Sequence, residues 1–361
     1  MVNRPTLRGR PVGFFGGETK IEELTGELNL YSAGMAEPIT HVNTWPVGDE
    51  LLVTWRGGGD VSVFVSEDPL DAGVDVRSPD EPGRVAVPRA LGRYVHLFDP
   101  DHGFTVTAER LLPTEGIRNF RDLGGYPVGS TGSTRWGQVF RSGGLDQATR
   151  GDLELIESLG ISQVFDLRTQ GEVDGAPDRL PSGVERVHLP MSSSVAVHKG
   201  LLERILDGDI TTFTKVDMAE GYLRMLEAFP EAVAEMVASV AEGRKVLFHC
   251  SAGKDRTGIA AMVLLGLAGV DDGHVLDDYE VSARHQPDGA VDWFTQRLVD
   301  ADLDPDPIDV AAMLGAPRPV MRMTIDGFRD RWGDPEGYGA FLGLSSEVLE
   351  AARTHLRFDL A

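Results

Sequence analysis

The chain has 361 residues, 41% of them hydrophobic and 25% charged, with one cysteine, Cys250. That length predicts two domains, the composition is that of a soluble globular protein, and a lone thiol excludes any intrachain disulfide. A formal charge of −23 at pH 7 opposes binding to nucleic acid or to acidic membranes, so an anionic ligand requires a local positive site.

Residues 1–37 read as an N-terminal extension. The opening "MVNRPTLRGRPVGFFGG" lacks the apolar segment of a signal peptide, and no apolar run approaches 18 residues. A cytoplasmic protein without stable membrane insertion is expected. Residues 38–110 hold short runs of largely alternating character, "ELLVTW", "DVSVFVS" and "RYVHLF", separated by the turn-forming "RGGGD", "EDPLDAG" and "SPDEPG". This spacing predicts a small β-sandwich. Trp55 and Tyr94 stand where a fibronectin type III module buries its aromatic residues. The segment resembles that fold, a likeness that implies a packing scheme and no activity.

From 111 to 361 the pattern changes to α/β, with a mostly parallel central sheet flanked by helices. "LDQATRGDLELIESLGI" places Leu153, Ile156 and Leu159 on one side of a helix, and the strand "SQVFDLR" follows. A long helix is expected over 219–243, kinked or interrupted at Pro230. Then come the strand "KVLFHC", a glycine turn, and the helix "TGIAAMVLLGLAG", apolar on nearly every face and hence buried. Further helices are predicted over 273–284, 290–301, 319–332 and 345–356, and the weakly periodic stretch 190–217 is expected to form a flap.

The strand preceding Cys250 delivers it to the carboxyl end of a sheet. The loop Ser251, Ala252, Gly253, Lys254, Asp255, Arg256 then leads into a helix beginning near Thr257. Amides converging at a helix N-terminus form an anion site, because unpaired N–H groups and the macrodipole both favour negative charge. The same field lowers a thiol pKa from about 8.5 into roughly the 3.5–7.5 range, which makes Cys250 a thiolate and a nucleophile. Arg256 can turn back over the loop and hold two phosphoryl oxygens in a fork. No Cys/His cluster has zinc spacing, so neither metal nor cofactor is expected.

This Cys-x5-Arg pattern resembles the protein tyrosine phosphatase superfamily. With "GIRNFRDLGGY", "VFRSGGL" and "VFDLRTQGE", the loop "HCSAGKDRTG" is similar to the bacterial branch of tyrosine and lipid phosphatases carrying a Lys-Asp pair in the loop. The likeness runs from about 110 to 357. It implies attack by Cys250 on phosphorus, a cysteinyl-phosphate intermediate, and its hydrolysis by water, with Arg256 and the loop amides holding the oxygens. It further implies that the Thr257 hydroxyl donates to the sulfur, and that Lys254 extends the substrates from phosphotyrosine to phosphoinositides. Its other reading is a solvated side chain beside the loop.

The general acid implied is Asp255, with Asp166 as the alternative; Asp255 could instead orient Arg256 or cap the helix. Asn119, Arg121 and Asp122 either line the pocket or form a salt-bridged and hydrogen-bonded brace between the first segment and the catalytic strand, Arg141 and Arg168 have the same two readings, and His249 is expected to hold the loop by a hydrogen bond. A nucleotide-binding P-loop is excluded because Asp255 stands where a Ser or Thr would follow Gly-Lys. The partner expected is a phosphorylated protein, phosphoinositide or small molecule. The alternatives are a specialised metabolite phosphatase and an inactive phosphate-binding module.

Overall fold

The computed structural model describes residues 39–77, 83–129, 132–191 and 201–359. The expected extension 1–37 and positions 192–200 of the expected flap lie outside them. The chain divides into two compact units between Glu109 and Arg110.

The first unit holds strands β1 (Thr40–Val47), β2 (Glu50–Arg56), β3 (Ser62–Ser66), β4 (Val74–Arg77), β5 (Arg84–Pro88), β6 (Tyr94–Asp99) and β7 (Gly103–Ala108). They form two sheets, ordered β1-β2-β5 and β4-β3-β6-β7. Alternation along β2 buries Leu51, Val53 and Trp55. Those side chains meet Val63, Val65, Val95 and Leu97 of the other sheet in one apolar cluster, and Tyr94 is also buried.

The second unit adds β8 (Arg121–Asp122), β9 (Pro127–Val128), β10 (Gly132–Thr134), β11 (Val139–Ser142), β12 (Gln163–Asp166), β13 (Glu185–His188), β14 (Val246–His249) and β15 (Arg357–Asp359). Its five-stranded sheet runs β13-β12-β14-β11-β8. The β13/β12, β12/β14 and β14/β11 pairs are parallel, and β8 is antiparallel to β11. Over the described residues as a whole antiparallel ladders predominate, because the sandwich consists of them. β11, β12 and β14 are buried at every position, which is why they read as continuous runs. Successive residues of β14 enter opposite cores: Val246 and Phe248 one, Leu247 the other.

The helix after β14, Asp255–Ala268, is buried from Thr257 to Leu265, and it begins two residues before the expected Thr257. The segment 219–243 is two helices, Lys215–Ala228 and Pro230–Ala241, parted at Phe229 (φ −130, ψ 53). Pro230 opens the second, where its missing N–H costs no helix bond. The expected flap is partly helical: it contains Leu201–Leu206 and the start of Lys215–Ala228. No helix of the described residues is long and apolar enough to cross a membrane.

Candidate active site

Parallel pairing sets the site. Ser142 on β11 and Asp166 on β12 both lie level with His249 on β14, so the chain leaves all three strands beside Cys250. The thiol is 2% exposed. Four consecutive loop carbonyls are tied to groups outside the loop. Gly144 N–H donates to Ser251 O (3.1 Å). Asn119 Nδ2 donates to Ala252 O (3.3 Å) and Gly253 O (2.8 Å). Arg141 Nη2 donates to Gly253 O (2.8 Å) and Lys254 O (3.5 Å). In a planar trans peptide the carbonyl and the next N–H point opposite ways, so these anchors turn the amides of residues 252–255 away from them. Gly253 has φ +67, and a Cβ there would lie 2.4 Å from Ser142 O; only glycine fits.

Helices elsewhere open on capping boxes, at Thr149, Thr169 and Thr214. Lys254, at the N-cap of Asp255–Ala268, provides no side-chain cap, which leaves the first amides available to an anion.

The anchors are themselves braced. Arg121 Nε (2.8 Å) and Arg141 Nη1 donate to the Asp278 carboxylate, Arg121 also donates to Asn119 Oδ1, and all four residues are buried. Burial works to raise the Asp278 pKa, but Arg121 and Arg141 outweigh it and hold the carboxyl well below its usual range. Burial and the neighbouring Arg121 charge lower Arg141 to about 10. Asp122 accepts from the amides of Gly124 (2.8 Å) and Gly137 (2.9 Å). Asn119 and Arg141 thus reach the loop carbonyls, Arg121 holds Asn119, and Asp122 is held by amides outside the loop.

Arg256 is held by a residue the sequence reading did not single out. Glu172 accepts from Nη1 and Nη2 at 2.7 Å each, and Leu167 O accepts a second Nη1 bond (3.2 Å). A guanidinium has five N–H groups. Among the described residues Nε–H and one Nη2–H, on a single edge, remain without partners, and that edge has the fork geometry that fits phosphate. Ser251 Oγ also donates to Glu172 (2.5 Å). Burial disfavours the Glu172 anion, yet Arg256, Ser251 and the Thr169 amide bring its pKa down to about 2. For Arg256 burial is likewise outweighed, by Glu172 and Cys250, and its pKa is raised. The signal in sequence was Thr169-x-x-Glu172, a capping box at the end of "VFDLRTQGE".

Lys254 is not solvated: it is buried, and its ammonium donates to Met313 O (2.6 Å) and Leu314 O (3.3 Å), carbonyls at the end of the helix Val310–Leu314. It also stands 3.4 Å from Asp255 Oδ1. Asp255 is the first residue of its helix and does not cap it; Tyr222 Oη donates to Asp255 Oδ1. Thr257 Oγ1 is buried without a hydrogen-bond partner, the Cys250 sulfur included.

Asp166, the alternative acid, is fully buried. It accepts from Arg168 Nε (2.9 Å) and Nη2 (2.8 Å) and from Arg186 Nη2 (2.7 Å). Burial alone would raise its pKa, but the guanidinium groups and His249 hold it well below the carboxylate range. These partners, against the effect of burial, favour the ionised form of Asp166. Arg168 joins it to Asp178 (2.7 Å), and His249 Nε2 stands 3.1 Å from Asp178 Oδ2. Asp166, Asp178 and His249 bring ligand atoms within 4.8 Å, but Arg168 and Arg186 already neutralise both carboxylates. The cluster is a salt-bridged floor behind Cys250.

The fold and this site together define a phosphoric monoester hydrolase. The model of the tyrosine phosphatase family matches residues 112–358, and the chain belongs to that family. A Cupriavidus necator protein bearing the name of a tyrosine-protein phosphatase is 33% identical over 172 residues, which cover 46% of this chain and 61% of the relative, less than two thirds of its length. The triple specificity protein phosphatase PtpB of Mycobacterium tuberculosis is 28% identical over 279 residues, 68% of this chain and 98% of that one. The solved core catalytic domain of the S. cerevisiae PP-IP phosphatase SIW14 is 16% identical over 54% of this chain and 90% of that one, with a TM-score of 0.27, too low to carry an argument.

Proposed function

We propose that the chain hydrolyses phosphomonoesters through a cysteinyl-phosphate on Cys250, with phosphotyrosine as the preferred class of substrate. The observation that carries this is the loop Cys250–Arg256: one thiol, carbonyls anchored outward, and one open edge of Arg256. In the first step sulfur attacks phosphorus, the P–O bond breaks, and Asp255 gives a proton to the departing oxygen. In the second, water attacks phosphorus, the S–P bond breaks, and Asp255 takes the proton of water. Arg256 and the amides, rather than a metal, carry the equatorial charge.

Lys254 Nζ, 3.4 Å from Asp255 Oδ1, keeps a phosphoinositide as a second class of substrate, while the acidic surface opposes docking on an anionic bilayer. The resemblance to PtpB, named as a triple specificity protein phosphatase, supports a phosphoprotein substrate. For the first unit we propose a fibronectin type III-like module over 38–110, a reading supported by its sheet orders β1-β2-β5 and β4-β3-β6-β7.

The test is phosphate release, with chelator present, from p-nitrophenyl phosphate, a phosphotyrosine peptide, a soluble phosphoinositide and nucleotides, beside Cys250→Ser. The phosphotyrosine peptide should be turned over best and Cys250→Ser should release nothing. Retained turnover in Cys250→Ser, or none in the wild type, would sink the proposal; a nucleotide turned over best would point to a metabolite phosphatase.

A further inference from the structure

We propose that Tyr222 is a positioning residue for Asp255: it occupies one carboxylate oxygen so that the other carries the transferable proton. This rests on the reading of Asp255 as general acid. Tyr222 lies in Lys215–Ala228 and Tyr279 in Asp272–Val281. They are 3% and 1% exposed, and their rings meet edge to face at 6.3 Å. The Tyr222 hydroxyl donates to Asp255 Oδ1 and stands 2.8 Å from the Tyr279 hydroxyl. A phenol has one proton to donate. With that of Tyr222 on Asp255, the bond between the phenols must run from Tyr279 to Tyr222. The three groups form a directed chain ending at Oδ1.

Lys254 Nζ, 3.4 Å away, faces the same oxygen. Among the described residues no donor reaches Oδ2, and the Asp255 side chain is 37% exposed. The transferable proton therefore belongs on Oδ2, which gives it to the leaving oxygen in the first step and recovers one from water in the second. Oδ1 accepts from Tyr222 whether the acid is protonated or ionised, so the carboxyl keeps its orientation through both. Burial raises the pKa of both phenols, which keeps them neutral donors throughout. Two buried hydroxyls where phenylalanines would fill the same space are otherwise unfavourable; their terminal acceptor is Asp255.

The experiment compares kcat/KM for phenyl phosphate, whose leaving oxygen needs a proton, with kcat/KM for 2,4-dinitrophenyl phosphate, whose leaving oxygen does not, because kcat/KM reports the first step. Tyr222→Phe should lose about tenfold more on the first ester than on the second, the scale of one hydrogen bond to a charged group. Tyr279→Phe should show the same signature more weakly, and Tyr222→Phe should add nothing in an Asp255→Asn background. Equal losses on both esters, or additive losses with Asp255→Asn, would overturn the proposal. A wild type inert on both esters would instead sink the phosphatase reading. An active wild type whose Asp255→Asn variant ignores the leaving group would remove the acid assignment and this proposal with it.

Discussion

Arg256 enters the site with three of its five N–H groups already committed to Glu172 and Leu167, and the commitment fixes which edge faces a ligand. Glu172→Gln keeps the size of the side chain but leaves the guanidinium without its counter-charge. We expect kcat/KM for p-nitrophenyl phosphate to fall by about ten- to a hundredfold, as for a lost hydrogen bond to a charged group. The pH dependence of stability follows in sign. The folded pKa of Glu172 is lowered from 4.5 to about 2, so its contribution is full above about pH 4.5 and is lost as pH falls through 2. Denaturant unfolding across that window should show the wild type losing its advantage over Glu172→Gln; an advantage unchanged down to pH 2 would contradict the ion pair.

Among the elements, the strand, loop and helix around Cys250 were legible because every signal is local: an apolar run, a glycine that only a left-handed turn needs, and a second apolar run. The partners that give the loop its shape were not legible. Lys254 and Met313 are separated by 59 positions, Arg256 and Glu172 by 84, Arg121 and Asp278 by 157. No periodicity joins such pairs; they meet where the helices carrying Glu172, Asp278 and Met313 pack beside the ends of β8, β12 and β14. For the same reason nothing local in the sequence shows that the helix Val310–Leu314 offers Lys254 its carbonyls. The buried Asp278 between two arginines carries a prediction of its own. Asp278→Ala leaves two uncompensated cations in the core and should cost about 3–5 kcal/mol in urea unfolding, whereas Arg150→Ala, at an exposed pair with Glu154, should change stability by under about 1 kcal/mol.

Over the whole molecule the formal charge of −23 opposes the approach of a dianionic substrate. Raising ionic strength from about 0.01 to about 0.15 M shortens the screening length from roughly 30 to 8 Å, so kcat/KM should rise with salt for a phosphotyrosine peptide. A fall would mean that the local field of Arg256 governs capture. The outward anchoring of the loop carbonyls bears on a separate matter, that of transplantation. Asn119, Arg141 and Gly144 set the direction of the amides, and Glu172 sets the edge of Arg256. None of the four belongs to the ten letters "HCSAGKDRTG". Grafted onto another strand–helix junction, that decapeptide would bring the thiol and the arginine without the forces that orient them. The smallest portable unit is the decapeptide together with the segments that carry these four residues.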